Sequence, residues 1–303
     1  MSGTALILGA NGRFGRNAAE AFWNAGWRVT LFDRATDDLA IASRGIDVIV
    51  NGWNPPYPRW STDVPAMTAA VIDAARLNGC TVVVPGNVYV YGTDAPPVLT
   101  EVTRHAATNP LGRIRIEMEA AYRASGVRTI LLRAGDFIDT EASGNWFDRI
   151  ITAQVGQGKI TYPGPLDVPH AWAYLPDLAR AAVALANQRA DLDTFTDVGF
   201  PGYTLTGQDL AAAIDFSLGR TITAHQMNWL PLQLARPVWK MAAALVEMRY
   251  LWRMEHRLDA TAFHALVPYF VETPLEVALR RALQDKIRPD EAMPRTVISI
   301  AAV

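Results

Sequence analysis

Leu6-Ile7-Leu8-Gly9-Ala10-Asn11-Gly12-Arg13-Phe14-Gly15 is an apolar strand running into three glycines at three-residue spacing and then into a helix. The glycines have separate tasks. Gly9 lets the chain turn off the strand, Gly12 lacks the Cβ that would obstruct a pyrophosphate, and Gly15 lets helix and strand pack closely. The helix N-terminus then directs free N–H groups and a positive dipole end at the phosphates. The context matches. A helix over Arg16 to Ala25 closes at Gly26, and a second strand, Trp27 to Phe32, ends on Asp33, eighteen residues past Gly15. A carboxylate there accepts bonds from a ribose. This order predicts a dinucleotide site on Gly9, Asn11, Gly12, Arg13, Phe14, Gly15 and Asp33.

Short β-rich runs continue to alternate with helical ones, the signature of a parallel sheet wrapped by helices. The third strand, Asp47 to Val50, ends in Asn51-Gly52-Trp53-Asn54-Pro55-Pro56, at the carboxyl edge where a doubly wound sheet binds ligands. Helix Pro65 to Leu77 precedes a very apolar central strand, Thr81 to Pro85, which runs into Gly86-Asn87-Val88-Tyr89-Val90-Tyr91-Gly92. Helix Pro110 to Ala124, strand Val127 to Arg133 and the turn Ala134-Gly135-Asp136 follow. From 137 to 170 the chain is rich in glycine and proline and reads as an excursion over the cleft. Helix Pro176 to Ala186 and strand Thr194 to Val198 end the sheet. The expected class is α/β, with a Rossmann-type doubly wound parallel sheet over 1–198 and a smaller helix-rich substrate domain over 199–303. In the latter, Thr206 and Asp209 form a capping box, Gly219 closes that helix, and one long helix spans Pro237 to Trp252. The tail, 287–303, ends in an apolar run from Val297.

Half of the 303 residues are hydrophobic and 19% are charged, as a well-buried core requires. A net charge of −2 gives no electrostatic case for nucleic acid or an anionic membrane. The best membrane candidate, Trp229 to Met254, is interrupted by Arg236, Lys240, Glu247 and Arg249. The single cysteine, Cys80, excludes an internal disulfide framework and reads as a buried structural thiol. With no charged-then-apolar leader, the expectation is a cytoplasmic protein. The histidines show no metal-ligand spacing, so no metal is expected.

Four stretches in order resemble the extended and atypical short-chain dehydrogenases, the NAD-dependent epimerase/dehydratase family. They are the Gly9 loop, the Asn51-Gly52 strand end, Val83-Val84-Pro85 running to Tyr91-Gly92, and Trp172-Ala173-Tyr174-Leu175-Pro176-Asp177-Leu178-Ala179. The resemblance covers about residues 4 to 280 and implies an NAD(P)-binding fold, with Asn51, Gly52, Trp53 and Pro85 lining the cofactor crevice. The departures concern chemistry. The family's Ser or Thr before Val-Tyr-Gly is Asn87 here. Its Tyr-x-x-x-Lys pair, which exchanges the substrate proton and holds the nicotinamide ribose, aligns with Leu111 and Arg115. A leucine cannot exchange a proton, whereas Arg115 still offers donors to ribose hydroxyls or an oxyanion.

Candidate catalytic residues are therefore Asn87, Arg115 and Tyr89. Strand alternation would put Tyr89 on the face of Asn87, as a surrogate acid or an aid to substrate orientation. Tyr91, Asp136, Trp146, His170 and Tyr174 are candidates for lining a substrate cleft. Asp33 argues for NAD, while Arg13 and Arg34 argue for NADP through its 2′-phosphate. Two arginines against one carboxylate lean to NADP. The expected function is hydride transfer to or from a small or medium carbonyl, imine or sugar-like substrate. The alternatives are an epimerase or dehydratase with tightly held NAD, and a non-enzymatic NADP(H) sensor, which would explain the lost tyrosine. The long helix offers either a homodimer face or a cover for the sheet.

Overall fold

The computed structural model describes residues 3–287; the tail from 288 onward lies outside the described residues. The chain begins with β1 (Thr4–Leu8), α1 (Arg13–Asn24), β2 (Arg28–Phe32), α2 (Leu39–Ala42) and β3 (Val48–Asn51). Next come α3 (Trp60–Asn78), β4 (Thr81–Gly86), the short β5 (Val98–Leu99), α4 (Pro110–Ala124) and β6 (Thr129–Arg133). β7 (Asp136–Ile138), β8 (Lys159–Tyr162), β9 (His170–Tyr174), α5 (Leu175–Asn187) and β10 (Phe195–Gly199) follow. The remainder holds β11 (Tyr203–Leu205), α6 (Gly207–Leu218), β12 (Thr223–Gln226), α7 (Leu230–Ala235), α8 (Lys240–Glu247), β13 (Arg257–Leu258), α9 (Thr261–Leu266) and α10 (Leu275–Ile287).

Six parallel strands form the central sheet in the order β10-β6-β4-β3-β1-β2. From β1 the chain steps outward to β2, then crosses back to β3 on the other side of β1. The winding reverses at β1 and β3, which places the ligand crevice at their carboxyl ends. Alternate residues feed two cores. Leu6, Leu8, Ile49, Val82 and Val84 pack with Val71 of α3 and Met118 and Tyr122 of α4. Ala5, Ile7, Val48, Val50 and Val83 pack with Phe14, Ala18 and Phe22 of α1 and Leu178 and Ala182 of α5. Burial on both faces is why these strands read as continuous apolar runs rather than alternating ones.

A third core lies beyond the carboxyl edge and draws on distant segments. β9 lies between β7 and β11, and β8 pairs with β12, so the 137–170 excursion is tied to elements after residue 198. Tyr162, Trp172, Trp252, Leu210, Ile214 and Leu279 fill it. The capping box at Thr206 and Asp209 is formed, and Gly219 ends α6 in the left-handed conformation at φ +61.

Three local expectations need correction. α3 starts at Trp60, five residues before Pro65, and carries that proline inside the helix. The expected long helix over Pro237 to Trp252 is instead α8 followed by a tight 3-10 segment, Met248–Arg253. At that join Glu247 Oε1 accepts from Asn109 Nδ2 at 2.8 Å and from the Leu111 N–H at 2.7 Å. A carboxylate drawn to the start of α4 satisfies helix-end donors there, a tertiary demand invisible in the local pattern. Third, β4 stops at Gly86, and Tyr89–Tyr91 is a 3-10 turn, so strand alternation does not aim Tyr89. Asn87 Oδ1 accepts from the Tyr89 N–H at 3.0 Å, a local bond that competes with continued strand pairing. Among the described residues, no helix is long and apolar enough to cross a membrane.

Candidate active site

The glycine loop is held by backbone contact. Gly9 takes φ +73, and its carbonyl accepts from the Gly12 N–H at 2.8 Å. A Cβ on Gly15 would lie 2.1 Å from the Gly9 carbonyl oxygen, and one on Gly52 would lie 2.7 Å from that of Leu8. Helix α1, the β1 turn and the end of β3 therefore meet without side chains between them. Gly12 caps α1 with no side-chain hydrogen bond. In Gly15→Ala, loop and helix must part. We expect a loss of about 1–3 kcal/mol, read by urea denaturation, with wild-type stability as the result that overturns the assignment.

Beyond β2, Asp33 Oδ1 accepts from the Ala35 N–H at 2.9 Å, and the Arg34 guanidinium lies 5.6 Å from the Trp53 ring centre. Arg13 is committed elsewhere: Nε donates to the Ser143 carbonyl at 2.8 Å and Nη2 to that of Gly144 at 2.6 Å. Arg16 and Asn17 both donate to Asp139 Oδ1, so residues 139–144 lie against the start of α1. The lean to NADP thus loses one of its two arginines. Asn51 turns its amide inward to the Tyr122 hydroxyl at 3.0 Å, which leaves its backbone as what it offers the crevice.

Arg115 is buried, with Nη2 donating to Asn54 Oδ1 at 2.9 Å and its guanidinium 4.3 Å from the Trp60 ring centre. Its Nε has no partner among the described residues. Burial pulls its pKa down, while Tyr89 and Glu119 act the other way. Arg115 thus places its guanidinium beside Asn54, just past the end of β3. Tyr57 and Tyr89 share a hydroxyl–hydroxyl hydrogen bond of 2.7 Å, and Tyr89 stacks on Trp60. Burial pushes both phenols above their ordinary range, Tyr89 well above it, with Tyr57 adding to that rise. Tyr89 is therefore suited to donating a hydrogen bond, not to serving as a base near neutrality.

Other candidates separate into two groups. Asp136 and His170 meet, with His170 Nε2 2.8 Å from Asp136 Oδ2. Tyr91 turns inward, its ring edge-on to His105 and its hydroxyl 3.4 Å from the Thr100 carbonyl. Tyr174 is likewise buried in the third core, where Trp146 packs against Trp229 and Trp252. Tyr91 thus packs in the first core, and Tyr174 and Trp146 in the third.

Sequence spacing missed Asn54, Tyr57 and Trp60, although the rigid Pro55-Pro56 pair at the β3 end marks that turn. It also missed a buried network in which Arg133 donates to Glu119 through both nitrogens, at 3.1 and 2.9 Å, and to Asp197 Oδ2 at 2.6 Å. His105, Glu119 and Asp197 bring ligand atoms within 4.8 Å of one another, a grouping of the kind that holds metals. The guanidinium of Arg133 already bonds both carboxylates. Cys80 is buried, and that burial pushes its thiol up to about 11, the profile of an inert thiol.

No family model matches the sequence, and no curated protein matches it. Solved structures do match in fold. MoeE5 in complex with UDP-glucose and NAD superposes with a TM-score of 0.73 at 16% identity, over 95% of this chain and 99% of that one. The UDP-glucuronic acid 4-epimerase from Bacillus cereus, solved with UDP-glucuronic acid and NAD, gives 0.73 at 14% identity, over 94% and 99%. A nucleoside-diphosphate-sugar epimerase from Pseudomonas aeruginosa gives 0.70 at 14% identity, over 96% and 99%. The chain shares the Rossmann-type fold of these structures over nearly its whole length.

Proposed function

We propose that the chain is a nicotinamide-dinucleotide-dependent oxidoreductase of the atypical short-chain dehydrogenase type, acting on a small or medium carbonyl, imine or sugar-like substrate. The observation that carries this reading is the side-chain-free cradle of Gly9, Gly12, Gly15 and Gly52 at the sheet's switch point, with Arg115 buried beside Asn54 at its far end. Those residues fit a dinucleotide. Backbone donors at the start of α1 would take the pyrophosphate, Asp33 and Trp53 the adenosine end, and Arg115 a ribose hydroxyl. When bound, the group supplies a hydride acceptor or donor.

This chain's own residues then supply position and polarity. Asn87 keeps its amide N–H groups for a substrate oxygen, because its Oδ1 is used within the turn. Tyr57 and Tyr89 present coupled hydroxyls, and Arg115 places positive charge where an oxyanion would be stabilised. Epimerisation of a nucleotide sugar is a second reading, favoured by the UDP-sugars that the structural neighbours hold.

Fluorescence titration with NADH and NADPH side by side tests the proposal. With Arg13 withdrawn, Arg34 alone opposes Asp33, so the two affinities are expected to agree within about tenfold. NAD retained through purification would favour the epimerase reading. Binding of neither dinucleotide overturns both readings.

A further inference from the structure

We propose that Asp136, held by His170, is the proton-exchanging group of this crevice and does the work for which Leu111 is unsuited. The proposal rests on the dinucleotide reading above.

The backbone delivers this pair. The Ala134 N–H donates to the Gly86 carbonyl at 3.1 Å, so β6 ends level with β4, and Asp136 stands two residues beyond. Gly135 makes the next step feasible, because a Cβ there would lie 2.1 Å from the Ala171 carbonyl oxygen. That close approach of the β6–β7 turn to β9 sets Asp136 against His170, and Asp136 pairs in register with Trp172. His170 is 2% exposed and stacks on Trp252, with ring centres 4.2 Å apart and planes within 2°. Its ring is therefore fixed, while the Asp136 side chain keeps 24% exposure. The buried imidazole orients the carboxylate, and the carboxylate is the member with access to the crevice.

Asp136 also belongs to the aromatic cluster around Arg115. Its charge acts on Tyr57 and Tyr89 on one side and on Tyr162 on the other. Around the pair stand His256, Tyr162, Tyr57, Tyr89, Arg115 and, acting on Tyr57, Arg13. Burial lowers His256 to about 3 and raises all three tyrosines, and the arginines stay charged.

In the oxidative direction the substrate hydroxyl gives its proton to the Asp136 carboxylate, and its C–H hydrogen leaves with two electrons for the dinucleotide. The C–O single bond becomes double. In the reductive direction the Asp136 carboxyl returns that proton to the carbonyl oxygen. His170 is a positioning residue.

The test needs no substrate. An oxidised nicotinamide carries a positive charge that the reduced form lacks, so a group that titrates beside it makes the ratio of NAD to NADH affinity depend on pH. Calorimetric titration of the full chain between pH 5 and 9 is expected to show that ratio rising with pH by roughly three- to tenfold. In D136N the variation should flatten, and in H170Q it should move along the pH axis. Asp136→Ser gives the same reading should D136N fold poorly. A flat ratio in the wild type, or an unchanged one in both Asp136 variants, overturns the proposal while leaving dinucleotide binding intact. If the wild type binds neither form, the function proposal falls and this one with it.

Discussion

Arg133→Ala is expected to cost about 3–5 kcal/mol of stability and to lower the melting temperature by roughly 6–15 °C. Arg133 is 1% exposed, and its guanidinium lies between Glu119 and Asp197, whose side chains are 3% and 6% exposed. The neighbouring carboxylates hold the guanidinium firmly charged despite the burial that opposes it. Truncation would leave two carboxylates buried in the core without a cation, and the lost Coulomb attraction is smaller than the cost of those unpaired charges. Joint replacement of the network decides between the two contributions. If stranded charge is the main cost, replacing Arg133, Glu119 and Asp197 together by apolar residues of similar volume recovers most of the stability. If the triple variant is as unstable as Arg133→Ala, packing around Arg133 is the cause. The network also reaches the crevice, because Nη1 donates to the Asn87 carbonyl at 2.6 Å. A variant that folds should therefore also displace the turn carrying Asn87 and Tyr89.

The glycine loop was legible in sequence because its physics is local: turn, phosphate approach and helix packing all fall within seven residues. The strands of the central sheet were legible because burial on both faces leaves long apolar runs. The side of the crevice around Arg115 and Asp136 was not. Tyr89 looked like a strand residue, and only the Asn87 side-chain bond explains why pairing stops at Gly86. Arg115 was found through a resemblance, but its partner Asn54 lies 61 residues away and no spacing announces it. Asp136 and His170 were separate candidates, brought together by the missing Cβ of Gly135. Tyr91 is buried in the first core and Tyr174 in the third, and the third core, built from segments scattered between 137 and 287, has no sequence-local signature.

That third core also makes stability depend on pH through His256. The ring is fully buried: Nδ1 donates to the Met254 carbonyl at 2.8 Å, and the ring sits edge-on to His170 at 4.4 Å. Nε2 has no partner among the described residues, so protonating it would place a charge where none of them receives it. Burial first, and the facing His170 second, lower its pKa from 6.5 to about 3. A histidine with a depressed folded value binds a proton more readily in the unfolded chain. Its contribution is thus complete above about pH 6.5 and is lost as pH falls toward 3. The slope is about 1.4 kcal/mol per pH unit inside that window. Between pH 7 and 4.5 this amounts to a loss of about 2–3 kcal/mol beyond what the carboxylates contribute. Urea denaturation of wild type and His256→Gln across that range isolates it, because the variant keeps a donor for Met254 and cannot titrate. The wild type should lose stability more steeply than the variant, and equal slopes would show that His256 titrates alike in the folded and unfolded chain.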